Sequence, residues 1–177
     1  TKTELDMFKR KWTGYRAATD ADFDASIKTG AKKAGLDVVA KELSSVPTDF
    51  NIFKKTAKLF QARETLYFNQ KQVDWGLAEQ LAFGSLIKEG HSVRLSGQDC
   101  QRGTFSHRHS AIKDEKNETL HIPLNQLSKT AALTVLNSHL SEYCVMGFEY
   151  GHSLASPNDL TIWEAQFGDF SNGAQII

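Results

Sequence analysis

Cysteine, proline and methionine are scarce in this chain, with two, three and two among 177 residues. The two cysteines, Cys100 and Cys144, are isolated, so they form neither a disulfide framework nor a metal-ligand spacing, and a reducing compartment is expected. Few prolines, twelve glycines and a 40% hydrophobic content exclude collagen-like and disordered classes. Long apolar runs are also missing. No stretch approaches the roughly 18 consecutive apolar residues of a membrane span, and Thr1-Lys2-Thr3-Glu4-Leu5-Asp6 has no signal-peptide character, so a soluble chain without a membrane partner is expected. Net charge is absent, with 21 basic against 21 acidic side chains, which argues against a general nucleic-acid binder. Asn117-Glu118-Thr119 matches a glycosylation sequon but reads as a turn when no secretion signal accompanies it.

The zero charge conceals two unlike parts. Residues 1–71 hold 14 Lys/Arg against 9 Asp/Glu, whereas residues 72–177 hold 7 against 12. The final Ala174-Gln175-Ile176-Ile177 is apolar and uncapped, as though the chain were cut inside an element. The length suits one globular domain, or one with an appendage.

Through residue 72 the pattern is helical. Phe53, Ala57, Phe60 and Glu64 recur at spacings of three and four, which predicts an amphipathic helix with a basic outer face. Ala31 to Leu43 reads the same way, and Ser44-Ser45-Val46-Pro47-Thr48-Asp49 separates the two. The basic runs Lys9-Arg10-Lys11 and Lys32-Lys33 suit an anionic partner or, more simply, a solvated helix face.

From Asp74 onward helices and strands alternate. Asp74 caps a predicted helix from Trp75 to Lys88, with Leu77, Leu81, Phe83 and Leu86 as buried candidates and Gly90 as its stop. A strand over Ser92–Leu95 follows, then a polar loop beginning at Gly97. Ala111–Lys113 and Thr119–Ile122 form a small excursion around the turn at 114–117. Leu133-Thr134-Val135-Leu136 reads as a strand buried on both faces, and Leu160-Thr161-Ile162-Trp163 as another buried strand. Between them Ser141 caps a helix from Glu142 to about Leu154, and a further helix is expected from Phe167. Together these elements predict a parallel α/β sheet with right-handed crossovers.

Ligands of such sheets bind beyond the carboxyl ends of the strands, which selects three loops. The first carries Gln98, Asp99, Arg102 and Ser106-His107-Arg108-His109. The second carries His139, Ser141 and Glu142; the third carries Glu164, Gln166, Phe167, Asp169 and Phe170. Glu142, in the first turn of a helix directly after a strand, either complements the helix dipole or hydrogen-bonds a ligand nitrogen and shares a proton with it. His107 and His109, two apart, would share a face of an extended segment; without a third ligand at convincing spacing, hydrogen bonding or phosphate contact suits them better than a metal. Phe167 and Phe170 suit a core or a wall, and Gly147 and Gly151 suit close helix packing at a subunit contact.

Several ordered blocks carry a family resemblance. They are Asp74-Trp75-Gly76-Leu77-Ala78-Glu79-Gln80-Leu81-Ala82-Phe83; Val93-Arg94-Leu95-Ser96-Gly97-Gln98-Asp99 with Arg102-Gly103-Thr104-Phe105-Ser106-His107-Arg108-His109; Leu140-Ser141-Glu142-Tyr143 with Gly147-Phe148-Glu149-Tyr150-Gly151; and Trp163-Glu164-Ala165-Gln166-Phe167-Gly168-Asp169-Phe170 with Asn172-Gly173-Ala174-Gln175. The sequence resembles the thiamin-diphosphate-dependent component of 2-oxoglutarate dehydrogenases, densely over residues 72–177 and more loosely before. It resembles only the central part of that longer family chain.

The resemblance implies a transketolase-like pyrimidine-binding α/β domain over 73–177, truncated at its C-terminus, preceded by a helical connector over 1–72. It implies thiamin diphosphate, with the diphosphate and Mg2+ held by a domain outside these residues. Glu142 is then the acid that contacts the aminopyrimidine nitrogen, Phe167 and Phe170 flank that ring, and Gln98 is an active-site neighbour. Protonating the ring nitrogen favours the imino form of the cofactor, which generates the nucleophile that attacks the keto carbon. The implied partners are 2-oxoglutarate, a second subunit of a homodimer, and the lipoyl domain of the dihydrolipoyl succinyltransferase core that takes the succinyl group. The implied setting is the bacterial cytoplasm or the mitochondrial matrix. No catalysis is expected of the 177 residues alone. A 2-oxoadipate dehydrogenase fits the same residues, as does a non-catalytic dimerisation module descended from such an enzyme.

Overall fold

The computed structural model describes residues 11–166 and 173–177. The lead-in includes the helices α1 (Asp20–Asp24), α2 (Lys33–Leu43) and α3 (Lys54–Glu64), the last running into a π turn over Thr65–Asn69. The expected helices at 31–43 and 53–64 are present within a residue or two, and Lys54, Lys55 and Lys58 face solvent as the periodicity predicts. The buried face differs. Phe53 stands at the helix entrance 46% exposed, and Arg63 is buried beside Phe60.

α4 (Trp75–Lys88) begins where Asp74 accepts the Leu77 amide at 2.7 Å, satisfying one of the donors that a helix start leaves open. It is apolar nearly all round, so it is buried along much of its length: Leu77, Leu81, Phe83 and Ile87 enter the core, with Leu86 half-buried. Gly90 stops it at φ +93°, a left-handed conformation that glycine adopts without strain. Val39, Ala40 and Leu43 of α2 pack into the same core, and Val39 lies over Gly84 of α4.

β1 (Val93–Gly97) is the centre of a three-stranded parallel sheet. It pairs with β4 (Leu133–Asn137) on one side and β5 (Leu160–Glu164) on the other. Alternation along β1 sends Val93 and Leu95 into the core under α2 and α4, and Arg94 and Ser96 to the opposite face. There α5 (Glu142–Ala155) lies over β1 and β5, and Arg94 forms a bidentate pair with Glu149 at 2.7 and 2.9 Å beneath the Phe148 ring. The excursion between β1 and β4 holds the two-residue antiparallel strands β2 (Ile112–Lys113) and β3 (Leu120–His121) and a 3-10 turn at Pro123–Gln126.

The expectation that β4 and β5 are buried on both faces is overturned. Leu133 and Val135 enter the core while Thr134 and Leu136 are exposed, and β5 is half-buried with Leu160 exposed. β4 is an edge strand and α5 lies mainly over the other two, which leaves the outer face of β4 exposed among the described residues. The helix expected from Phe167 falls in a segment outside the described residues; a 3-10 turn at Gly173–Ile176 follows it.

Candidate active site at the carboxyl edge of the sheet

Gly97, Asn137 and Glu164 end their strands in register, so the loops that follow leave from one edge. Glycine is required at 97, because a Cβ there would come within 2.6 Å of the Glu164 carbonyl and 2.7 Å of Cys100 Sγ. Ser141 caps α5 through a long 3.4 Å bond from the Cys144 amide. Glu142 follows as the first residue of the helix, half-buried, and its Oε1 accepts the Gln166 N–H at 2.6 Å. That bond ties the start of α5 to the end of β5 and fixes one carboxyl oxygen at the sheet edge.

Beyond β1 the chain folds into a tight loop. The Gly103 amide donates to the Asp99 carbonyl, and the Arg108 and His109 amides both donate to the Arg102 carbonyl. Gly103 takes φ +82° with its Cα against the His107 ring, so any side chain there would collide with the imidazole. Gln98 is exposed at the end of β1; Asp99 is half-buried and paired with Arg102 at 2.6 Å.

Arg108 is the structural centre of this loop and only 1% exposed. Its Nε and Nη2 donate to Glu79 of α4 at 2.6 and 3.0 Å, its Nη1 to the Cys100 carbonyl and Glu164 Oε1 at 3.0 Å, and its Nη2 also to Glu164 Oε2. Burial pulls the guanidinium pKa down, but the two carboxylates more than offset it and raise it. Glu164 responds in reverse: burial raises it, Arg108 overrides, and the carboxyl stays below its usual range. Burial, reinforced by Glu164, pushes the Cys100 thiol up to about 12, which leaves it inert as a nucleophile.

His107 and His109 do not share a face. His109 sits at φ 42° and the segment is not extended. His107 stands within 4.8 Å, ligand atom to ligand atom, of Glu79 and Glu164, a cluster of three that leaves out His109 and that the spacing of the histidines did not suggest. All four oxygens of those carboxylates are already bonded to Arg108, so a divalent ion would have to displace a buried guanidinium, and the cluster is read as an ion triad. Glu79 had one sequence signal: it is the single acid in a largely apolar helix. Phe167 and Phe170 lie outside the described residues. Gly147 meets only Ile177, at 3.5 Å, and Gly151 has nothing within 4 Å, so among the described residues neither serves a close helix contact.

Residues 71–177 match the family described as "Transketolase, pyrimidine binding domain". The chain belongs to that family. The 2-oxoglutarate dehydrogenase E1 component of Rickettsia felis is 55% identical to it over 178 residues, covering 99% of this chain and 18% of that protein. The proteins of the same name from Rickettsia prowazekii and Brucella ovis are 48% identical over 177 residues and 45% identical over 175, again with 18% and 17% of their lengths covered. The chain therefore spans less than a fifth of the relatives it matches.

A transketolase-type pyrimidine-binding domain of this kind implies thiamin diphosphate. Glu142 fits the nitrogen-bearing ring of such a group, since a carboxyl group can exchange a hydrogen with a ring nitrogen and this one is held in place by a backbone amide. Among the described residues no helix is long and apolar enough to cross a membrane.

Proposed function

We propose that this chain is the pyrimidine-binding part of a 2-oxoglutarate dehydrogenase E1 component. The full-length protein decarboxylates 2-oxoglutarate and passes the succinyl group to the lipoyl-lysine of a dihydrolipoyl succinyltransferase. The supporting observation is Glu142: a carboxyl at the first turn of α5, on the carboxyl edge of a parallel sheet, with Oε1 fixed by the Gln166 amide, in a chain 45–55% identical over nearly all its length to proteins of that name. When bound, thiamin diphosphate supplies the carbanion chemistry and the electron sink. This chain's residues position it. Glu142 holds a proton against the ring nitrogen, Gln98 borders the site at the end of β1, and Phe167 and Phe170 wall the ring. Residues 73–177 form the pyrimidine-binding unit and 1–72 the connector. Mg2+ and the diphosphate belong to another domain of the full-length protein, the cofactor lies between subunits of a homodimer, and the enzyme works in the bacterial cytoplasm or mitochondrial matrix.

Glu142→Gln is close to isosteric and keeps an acceptor for the Gln166 amide while removing the exchangeable proton. In the full-length protein it should lower kcat by about 10²–10⁴, the range for loss of a positioned acid or base. Near-normal turnover would sink the assignment. Turnover of 2-oxoglutarate against 2-oxoadipate by the full-length protein decides the acid's chain length, and retained thiamin binding excludes a non-catalytic module. The 177 residues alone should show no decarboxylation.

A further inference from the structure

Arg63, in the last turn of α3, belongs to the helical lead-in, yet it is only 4% exposed and has no carboxylate bonded to it among the described residues. Its Nη1 has no partner, and its Nη2 donates to two successive carbonyls, that of His107 at 3.4 Å and that of Arg108. The guanidinium stands 5.5 Å from the centre of the buried Phe60 ring. Burial pulls its pKa down to about 10, with the charge of Asp74 opposing. Such a side chain is a poor choice for stability alone, because buried ionic groups are often replaced by apolar side chains of similar volume at no cost. What an apolar side chain could not do is hold two peptide oxygens at once.

Both carbonyls belong to the loop after β1. Left-handed residues at Ser106 and His109 stand on either side of them, and the loop is closed by the Arg108 and His109 amides on the Arg102 carbonyl and by the Ser110 amide on that of Gln101. Left-handed backbone at residues other than glycine costs free energy and persists only where the surroundings hold it. Two helices do so here. Arg63 of α3 bonds the His107 oxygen, and α4 lies directly against the same atom, since a Cβ at Gly76 would come within 2.5 Å of it. The next residue, Arg108, then sends its side chain to Glu79 and Glu164.

From Arg108 the contacts run on to the sheet edge. Glu164 is the last residue of β5, and the amide of Gln166, two residues later, fixes Glu142 Oε1. We propose that Arg63 is a positioning residue for the acid at Glu142: by holding the His107 and Arg108 carbonyls it sets the backbone from which Arg108 anchors Glu164, and thereby the direction of the Glu142 carboxyl. The lead-in then works as part of the site and not as a connector alone. This rests on the reading above, which takes Glu142 as the group that exchanges a proton with the ring nitrogen.

The test uses the full-length protein with thiamin diphosphate bound. Arg63→Met keeps the length of the side chain and loses its donors. It should lower kcat by about tenfold to hundredfold with KM little changed, the effect of a shift of about 1 Å in a group that acts on the transition state. Arg63→Lys, which can reach one carbonyl but not span both, should fall between the two. In a Glu142→Gln background Arg63→Met should cost less than about threefold, since the group it positions is gone, whereas a residue that only held the fold together would cost the same in both backgrounds. Independently of activity, hydrogen exchange at the Arg108, His109 and Ser110 amides should speed up by about tenfold or more in Arg63→Met while the amides of β1 keep their rate. Wild-type kcat in Arg63→Met, an equal loss in both backgrounds, or unchanged exchange at the three amides would overturn the proposal. If Arg63→Met does not fold, Arg63→Lys carries the same three readings. A disabled Glu142→Gln beside a fully active Arg63→Met brings down this inference alone, and near-normal turnover in Glu142→Gln brings down the reading of Glu142 itself.

Discussion

Arg108→Met removes the guanidinium of the ion triad while keeping an unbranched apolar stem of similar reach. Five hydrogen bonds disappear, and two carboxylates that had shared one cation are left facing each other beside the Cys100 carbonyl. Deleting one member of a buried charge pair costs roughly 3–5 kcal/mol, mostly through the charge left behind. Glu79 and Glu164 keep about 30% of their side-chain surface, so water recovers part of their solvation and the low end, about 3 kcal/mol, applies. For a chain of this size that lowers Tm by about 6–12 °C. Urea unfolding followed by tryptophan fluorescence reads it, since Trp163 lies next to Glu164 on β5. The pH dependence gives the sign. In the wild type Glu164 is held below its usual range, so the triad's stabilisation is present above the unfolded carboxylate pKa and fades as pH falls through the folded one. In the variant the two carboxylates repel, and protonating either relieves the strain, so the gap between the proteins should narrow as pH falls toward 4. Adding Glu79→Gln and Glu164→Gln to the variant should restore most of the loss. A cost under about 1 kcal/mol, or a gap that stays constant with pH, would refute the triad as the anchor of this loop.

Gly84→Ala and Gly35→Ala are the same change with opposite signs. A Cβ at 84 would overlap Val39 Cγ1 and come within 3.1 Å of Leu124 Cδ2, so about 1–3 kcal/mol should be lost to overpacking. At 35, inside α2, nothing lies within 4 Å, and alanine should gain about 0.5–1 kcal/mol; denaturant midpoints measure both. Native thiol titration should find Cys144 reactive and Cys100 silent until the chain unfolds. Asp114 accepts the Asn51, Lys116 and Asn117 amides, the Asn51 bond being the largest cause, and is held down to about 2. Its contribution is therefore present above the ordinary aspartate value and lost as pH falls toward 2, and Asp114→Asn should flatten that acid limb of the unfolding curve.

Helices and strands were legible here because apolar periodicity and caps are local. Asp74 and Ser141 sit where caps belong, and α4 and α5 start beside them. The exposure of β4 was not legible, because Leu133-Thr134-Val135-Leu136 has the same apolar run whether it lies at the centre of a sheet or at its edge; strand order decides, and that order is non-local. Arg108 was unreadable for a related reason. Its partners come from α4 and from β5, 29 and 56 residues away, and a basic residue between two histidines gives no sign that it is buried. The two histidines misled through a backbone assumption, since left-handed residues at Ser106 and His109 turn a predicted extended segment into a loop that points them apart.

The sheet edge carries two glutamates whose surroundings assign them different work. Glu164 is bonded through both oxygens to a buried guanidinium, which favours its charged form and would have to be broken before it could give up or take a proton. Glu142 holds Oε1 on a neutral backbone amide, which orients the carboxyl without a formal counter-charge in that contact. Neighbouring carboxylates in unlike environments take unlike roles, and Glu164, with both oxygens on Arg108, is the one committed to anchoring. The triad in turn fixes Glu164, the last residue of β5, and Gln166 two residues later donates the amide that fixes Glu142. Anchoring and chemistry are thus joined through two residues of backbone, so loosening Arg108 should disturb Glu142's geometry even though the two side chains belong to different loops.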